Sequence, residues 1–315
     1  MESKVIAIVV TYNRKELLME CLTGILNQSV QVERIILIDN ASTDGTEAEL
    51  KKTGILERKN FVYRRMKQNL GGAGGFYKGI QTSLEFMCDW LWIMDDDTIP
   101  DRNCLENLLA ASKIVNEKVS FFASSVNGSS NEPMNVPNLD IRATGNGYSD
   151  WYKYLEYGLV KIEMATFVSL LININAVKQC GLPCKDFFLW GDDSEYTLRL
   201  CRNYGNAYFV GKSKVCHKRA VAKKLSINDE IDTNRIKNYF YQYRNDIVIK
   251  IIYYGKIYFA WTFIRNLLCA VTAIRYPWGL RKSYTILKAT FAGMYKYRYF
   301  KKYIQMQLDN HNSLG

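Results

Sequence analysis

From Ile247 to Leu308 the chain has no aspartate and no glutamate, yet eleven of its lysines and arginines fall there. The protein has 42 basic and 31 acidic residues in all, so the rest of the chain carries 31 of each and is balanced. The whole net charge of +11 therefore sits on one terminal segment. Such a segment points to an anionic partner, either a lipid surface or a nucleic acid. Histidine is nearly missing, with only His217 and His311, which leaves a zinc site at Cys180 and Cys184 without support. The eight cysteines are scattered without a paired framework, as suits reduced thiols in the cytoplasm. No uncharged run reaches the roughly 18–20 residues of a spanning helix. The apolar run Val5–Val10 is short and stops at Thr11-Tyr12-Asn13-Arg14, as a buried strand stops and a leader peptide does not. The expectation is a cytoplasmic protein that does not cross a membrane.

What is present fits a globular α/β chain. Apolar residues make up 48% and charged residues 23%, which excludes wholesale disorder. Strands are expected at Lys4–Val10, Arg34–Ile38, Phe61–Arg65 and Trp90–Met94, with helices near Lys15–Asn27, Thr46–Thr53, Phe76–Met87 and Asn103–Asn116. Short apolar strands alternating with helices imply a mostly parallel sheet covered on both faces. Ligands bind beyond the carboxyl ends of such strands. Thr11, Asp39, Asn69–Gly75 and Asp95–Asp97 should therefore border one crevice. Beyond it, Val126–Asp150 reads as long loops or short hairpins, Val160–Ile174 as strand material and Ser194–Asn203 as a helix. A strand at Tyr208–Val210 has Val215-Cys216-His217 just beyond it. From about Asn234 the chain reads as helical, with cations among Tyr, Phe, Trp and Ile. Two units are expected: a nucleotide-binding domain over 1–225 and a C-terminal helical segment over 226–315.

Four features could carry chemistry. Asp95-Asp96-Asp97 ends a strand and precedes Pro100. Adjacent buried carboxylates repel unless a cation offsets them, so they would suit Mg²⁺ or Mn²⁺ bridging phosphates, or else an acidic turn capping the next helix. Asn69-Leu70-Gly71-Gly72-Ala73-Gly74-Gly75 lets backbone approach a nucleotide closely, or is a plain flexible turn. Gly191-Asp192-Asp193-Ser194-Glu195 opens a helix, with Asp192 and Glu195 as a capping box or an aspartate as general base. His217 is either structural or a ligand drawn in by the aspartates.

In order, these segments form a specific set: Ile8-Val9-Val10-Thr11-Tyr12-Asn13-Arg14, Ile38-Asp39-Asn40-Ala41-Ser42-Thr43-Asp44-Gly45-Thr46, the glycine-rich stretch, Met94-Asp95-Asp96-Asp97-Thr98-Ile99-Pro100, Phe188–Tyr196 and His217. Over residues 4–220 the set resembles glycosyltransferase family 2, the inverting nucleotide-sugar enzymes of GT-A fold. The resemblance implies a Rossmann-like sheet flanked by helices and a donor site at Thr11, Asn13, Arg14, Asp39, Asn69, Gly71, Gly72, Gly74, Asp95, Asp96 and Trp190. It implies Mn²⁺ or Mg²⁺ held by Asp95, Asp97 and His217, and a base at Asp193 beside Asp192, where the family usually shows Glu-Asp. The triple Asp, the Trp-Gly-Asp-Asp stretch and Tyr241-Gln242-Tyr243-Arg244-Asn245 look most like bacterial galactofuranosyltransferases, with rhamnosyltransferases using dTDP-rhamnose similar. The donor implied is UDP-galactofuranose, the acceptor a glycolipid or a polysaccharide such as O-antigen.

The basic, aromatic C-terminal segment would then hold the enzyme at anionic lipid on the inner face of the plasma membrane. Alternatively it packs its Tyr and Phe on the catalytic core. A nucleotidyltransferase would use a similar cleft but release pyrophosphate. A nucleic-acid-binding module would leave the acidic motifs unexplained, since carboxylates repel phosphates.

Overall fold

The computed structural model describes residues 3–219 and 225–312. The chain opens with β1 (Val5–Thr11), buried throughout, and α1 (Lys15–Leu26), which turns Leu18, Cys21, Leu22 and Ile25 to the core. There follow β2 (Arg34–Asp39), α2 (Thr46–Lys52), β3 (Phe61–Arg65), α3 (Gly71–Ser83) and β4 (Trp90–Asp95). Next come β5 (Thr98–Pro100), α4 (Cys104–Ile114), β6 (Val119–Asn127), β7 (Asn138–Leu139), β8 (Leu159–Met164) and β9 (Leu170–Asn173). Then α5 (Ile174–Cys180), α6 (Asp192–Asn203) and β10 (Asn206–His217) complete the sheet region. The C-terminal unit is α7 (Thr233–Ile249), a π-helical turn at Lys250–Tyr254, α8 (Lys256–Ala273) and α9 (Gly279–Asn312). The junction expected at 225/226 adjoins residues 220–224, which lie outside those described.

One sheet runs in the order β3-β2-β1-β4-β9-β6-β10-β8-β7, with β5 paired to β10. Strands β3, β2, β1 and β4 are all parallel, as their unbroken apolar runs imply. The second half is mixed, with β9 antiparallel to both β4 and β6. Separate apolar clusters cover the two faces. Register brings the carboxyl ends together: Thr11 pairs with Asp39, and Val10 with Asp95.

Four local expectations change. The glycine-rich stretch is the first turn of α3, whose 13 residues include five glycines. Each glycine costs a helix about 1 kcal/mol relative to alanine, so tertiary packing must dictate their presence. An ideal Cβ on Gly79 would sit 2.4 Å from Ile8 Cγ2, so only a bare backbone lets α3 lie this close on β1. Second, Asp95–Asp97 leads into the short strand β5 and not a helix, because Thr98 to Pro100 pair with His217 to Val215. Third, β6, unassigned in the sequence reading, lies at the centre of the sheet's second half. Fourth, Tyr208–Val210 and Val215–His217 belong to a single β10, bent by a register shift between Val210 and Lys214.

Gly79→Val is expected to lower unfolding free energy by roughly 1–3 kcal/mol through overpacking. Urea titration would check this. Unchanged or higher stability would show that α3 can move off β1.

Candidate active site

The three aspartates are treated differently by the fold. Asp96 turns inward and is buried. Its Oδ2 accepts Thr11 Oγ1 at 2.7 Å and the Tyr12 amide at 3.3 Å, and its Oδ1 accepts an Arg14 nitrogen at 3.2 Å. Burial nevertheless pushes its carboxyl up to about 6, with Arg14 and Thr11 opposing the rise. Asp97 is held below the usual carboxylate range: burial works against its charge, but His217 and then Arg14 outweigh it. The Arg14 contact is 2.6 Å. Asp95, at the tip of β4, is raised well above its ordinary range by burial and then by Asp97 and Asp96. Asp192 adds to that rise, so the two acidic motifs feel each other across one crevice.

Asp95, Asp97 and His217 offer one ligand atom each, all within 4.8 Å of one another. The pairing of β10 with β5 makes this possible, since it sets His217 opposite Thr98. His217 Nε2 lies 3.1 Å from Asp97 Oδ1, yet that oxygen is buried without a properly aligned hydrogen-bond donor. An orphaned buried carboxylate oxygen beside a second carboxylate and an imidazole nitrogen fits a divalent cation. His217 Nδ1 is 2.9 Å from Asn135 Oδ1. With Nδ1 as the donor, Nε2 keeps its lone pair for the cation.

Around the triad the expected donor residues mostly brace loops. Asp39 is buried, its Oδ1 accepting the Ser42 amide and its Oδ2 the Tyr63 hydroxyl, both at 2.7 Å. Asn13, at φ 53°, accepts the Thr43 amide at 2.7 Å and so fastens the loop after β1 to the loop after β2. Asn69 Oδ1 accepts the Gly71 amide at 2.7 Å. Gly71 and Gly74 are buried, whereas a Cβ on Gly72 would meet open space.

The second acidic motif follows a strained loop. Phe188 has φ 66° and ψ −60°, and the Leu189 amide donates to Phe187 O at 2.8 Å. This is the rare γ-turn form. Trp190 follows at φ 56° and Gly191 at φ 88°. Non-glycine residues in such regions cost about 1–3 kcal/mol each, so surrounding contacts must impose the shape. Helix α6 starts at once with Asp192, buried, and Asp193, partly buried. Burial raises both, Asp192 further through Asp193, while Ser194 opposes the rise at Asp193. Asp193 Oδ1 accepts the Ser194 amide at 2.6 Å. Of the two alternatives for this motif, the capping box is not formed. Glu195 points into the core instead, 3.0 Å from the Arg199 guanidinium and accepting the Tyr253 hydroxyl at 2.6 Å.

Residues 6–152 match a family model described as Glycosyl transferase family 2. The match spans a little under half of the chain. A galactofuranosyltransferase GlfT1 of Mycobacterium tuberculosis is 27% identical over 64% of this chain and 66% of its own length. The corresponding protein of Mycolicibacterium smegmatis is 33% identical over 34% of this chain and 35% of its own. An abequosyltransferase RfbV of Salmonella typhimurium is 38% identical over 29% of this chain and 28% of its own. The chain thus spans less than two thirds of the length of these relatives. Among solved structures, GalNAc-T7 with UDP, GalNAc and Mn²⁺ superposes with a TM-score of 0.57 at 14% identity, covering 81% of this chain and 53% of that one. S. aureus TarS 1–349 in complex with UDP gives 0.54 at 14% identity, covering 86% and 71%. The fold is GT-A.

Two residues near Asp95, Asp97 and His217 escaped the sequence reading. Asn135 sits in a loop whose composition signals only irregular structure. Arg219 lies two residues beyond His217. Burial lowers its basicity, as do Arg235 and Arg14, while Asp97 opposes that change, so positive charge converges near the aspartates.

Asn135→Ala is expected to weaken Mn²⁺ binding about 10–100-fold, as loss of a hydrogen bond to a ligating histidine does. Calorimetric titration would measure it. Affinity within twofold of wild type would remove Asn135 from the metal site.

Proposed function

We propose that the chain is an inverting, metal-dependent glycosyltransferase. The observation that carries this reading is the meeting of Asp95, Asp97 and His217 at the carboxyl end of the sheet. A divalent cation held there would offset negative charge developing on a departing diphosphate. Thr11 and Asp39 border the base of the nucleotide. Arg14 and Arg219 supply positive charge beside the phosphates. Asp193 takes the proton of an acceptor hydroxyl as its oxygen attacks the anomeric carbon. The bond from that carbon to the diphosphate breaks, the diphosphate leaves with the electron pair, and the configuration inverts. The raised carboxyl of Asp193 makes it a better proton acceptor than an ordinary surface aspartate.

UDP-galactofuranose is the favoured donor, because two relatives of this chain bear the name galactofuranosyltransferase and two structural neighbours are UDP complexes. A deoxyhexose donor such as dTDP-rhamnose is the second reading, favoured by the likeness to an abequosyltransferase. The acceptor is a lipid-linked or polysaccharide hydroxyl in surface glycan synthesis. The enzyme would work as a peripheral protein at the cytoplasmic face of the membrane. No helix among the described residues is long and apolar enough to cross a membrane. On α8, however, Ile257, Trp261, Ile264, Leu268 and Val271 recur at helical spacing and are each more than half exposed. With eleven cations and no acid between Ile247 and Leu308, that apolar stripe suits anionic lipid.

Titration with UDP is expected to show Mn²⁺-dependent binding that Asp97→Ala loses. Asp193→Asn should retain that binding and lose transfer; equal turnover would sink the base assignment. For the membrane face, Trp261→Ser with Leu268→Ser should sharply reduce co-sedimentation with phosphatidylglycerol vesicles without changing UDP affinity. Unchanged co-sedimentation would remove α8 as the lipid contact.

A further inference from the structure

The Arg244-Asn245 pair of α7 lies far in sequence from both acidic motifs, and the chemistry proposed above leaves it without a task. Asn245 is completely buried, and its Nδ2 lies 3.1 Å from Phe187 O, 3.2 Å from Leu189 O and 2.6 Å from Trp190 O. Its Oδ1 accepts Arg244 Nε at 2.8 Å. An Arg244 nitrogen in turn donates to Asp186 O at 2.9 Å and Phe187 O at 3.0 Å. Every one of these carbonyls belongs to the loop whose last residues are the left-handed Trp190 and Gly191. Its far side is closed by α3, where the Ala73 amide donates to Phe188 O at 3.2 Å. A Cβ on Gly191 would approach Asn245 Cβ to 3.0 Å, so amide and loop are fitted without slack.

We infer that Asn245, oriented by Arg244, is a positioning residue for the catalytic base: it holds the Phe187–Gly191 loop in its left-handed path and so sets where Asp192 and Asp193 enter the crevice. Backbone carbonyls that all point at one side-chain amide cannot find the same set of donors in water. Removing the amide frees the loop to relax toward ordinary backbone angles, which shifts the start of α6. A displacement of about 1 Å in a reacting group is enough to lower turnover about a hundredfold. Strands β1, β2 and β4, which carry Thr11, Asp39 and Asp95, share none of these contacts, and the loop meets the other expected donor residues only at Trp190 and the start of α3, so nucleotide affinity is expected to change far less than turnover.

This inference rests on the reading of Asp192-Asp193 as the basic site, and its test separates the two. Asn245→Ala, Asn245→Asp and Asp193→Asn are compared for UDP release from UDP-galactofuranose with octyl hexosides as acceptors, for calorimetric UDP affinity with Mn²⁺, and for thermal unfolding midpoint. Expected is a fall in kcat of at least about 30-fold in Asn245→Ala, with UDP affinity within twofold and the protein folded at assay temperature. Asn245→Asp keeps the volume but faces the carbonyls with acceptors, and it answers the question should the alanine variant not fold. Wild-type kcat in either folded variant overturns the inference. So does a fall in kcat that merely tracks lost UDP affinity, since that is a general structural role. Full activity of Asp193→Asn alongside a folded, inactive Asn245→Ala with wild-type UDP affinity would overturn Asp193 as the base and leave Asn245 positioning Asp192.

Discussion

Three consecutive carboxylates at the end of a buried strand impose the constraint that organises this fold. Unit charges about 4 Å apart interact by roughly 4 kcal/mol at the effective dielectric near a protein surface, so side-by-side aspartates need compensation from elsewhere. The chain supplies it by separating their tasks. Asp96 is buried and accepts from Thr11 and the Tyr12 amide, and Arg14 bridges it to Asp97. Asp97 faces Nε2 of His217 at 3.1 Å, a residue that arrives from more than a hundred positions downstream. That arrival dictates two irregularities. Strand β10 pairs with β8 over Ala207–Val210, then shifts register before pairing with β5 over Val215–His217. Strand β5 exists because the residues after the aspartates must meet that returning strand. Helix α1 belongs to the same arrangement, because it begins immediately after Arg14 and packs Cys21 beneath the Asp95 carbonyl.

The parts of this design that are local in sequence were legible. Val5–Thr11, Arg34–Asp39 and Trp90–Asp95 announce themselves as unbroken apolar runs ending in polar residues, and parallel sheets place those ends side by side. The parts that depend on a distant partner were not. Glycines at Gly71–Gly75 look like a turn until Val10 of β1 is known to lie against Gly75. Glu195 looks like a cap until Arg199 and Tyr253 are seen to enclose it in the core. Asn135 carries no signal at all, since its importance comes from the single nitrogen of His217 that it faces.

The terminal segment has a packed surface and an exposed one. Its inner surface is packing material: Phe188 stacks on Tyr241 at 4.6 Å, Phe187 on Phe300 at 4.8 Å, and Trp190 leans on Tyr239 at 5.1 Å. Ala73, Cys184, Phe187, Val248 and Phe300 form one buried cluster, so α3, the loop before α6 and the terminal helices share a core. The outward stripe of α8 takes no part in that packing. Aromatic enrichment alone could not make the distinction, because a ring stacked on a neighbour and a ring facing outward contribute equally to composition.

The loop at Phe187–Gly191 is where these levels meet, and its construction favours a fixed pair of aspartates over a gated one. A gate needs two arrangements of similar free energy, with spare hydrogen-bonding capacity to stabilise the second. Here the two N–H bonds of the Asn245 amide are shared among three carbonyls, its oxygen is taken by Arg244, and the Phe188 carbonyl is taken by α3. Opening the loop would leave buried carbonyls and a buried amide unpaired together, each at roughly 1–3 kcal/mol. The strain stored at Phe188 and Trp190 pushes toward release, but it is smaller than that combined penalty. The loop is therefore held in one strained shape, and the two aspartates that follow it enter the crevice already oriented before any ligand arrives.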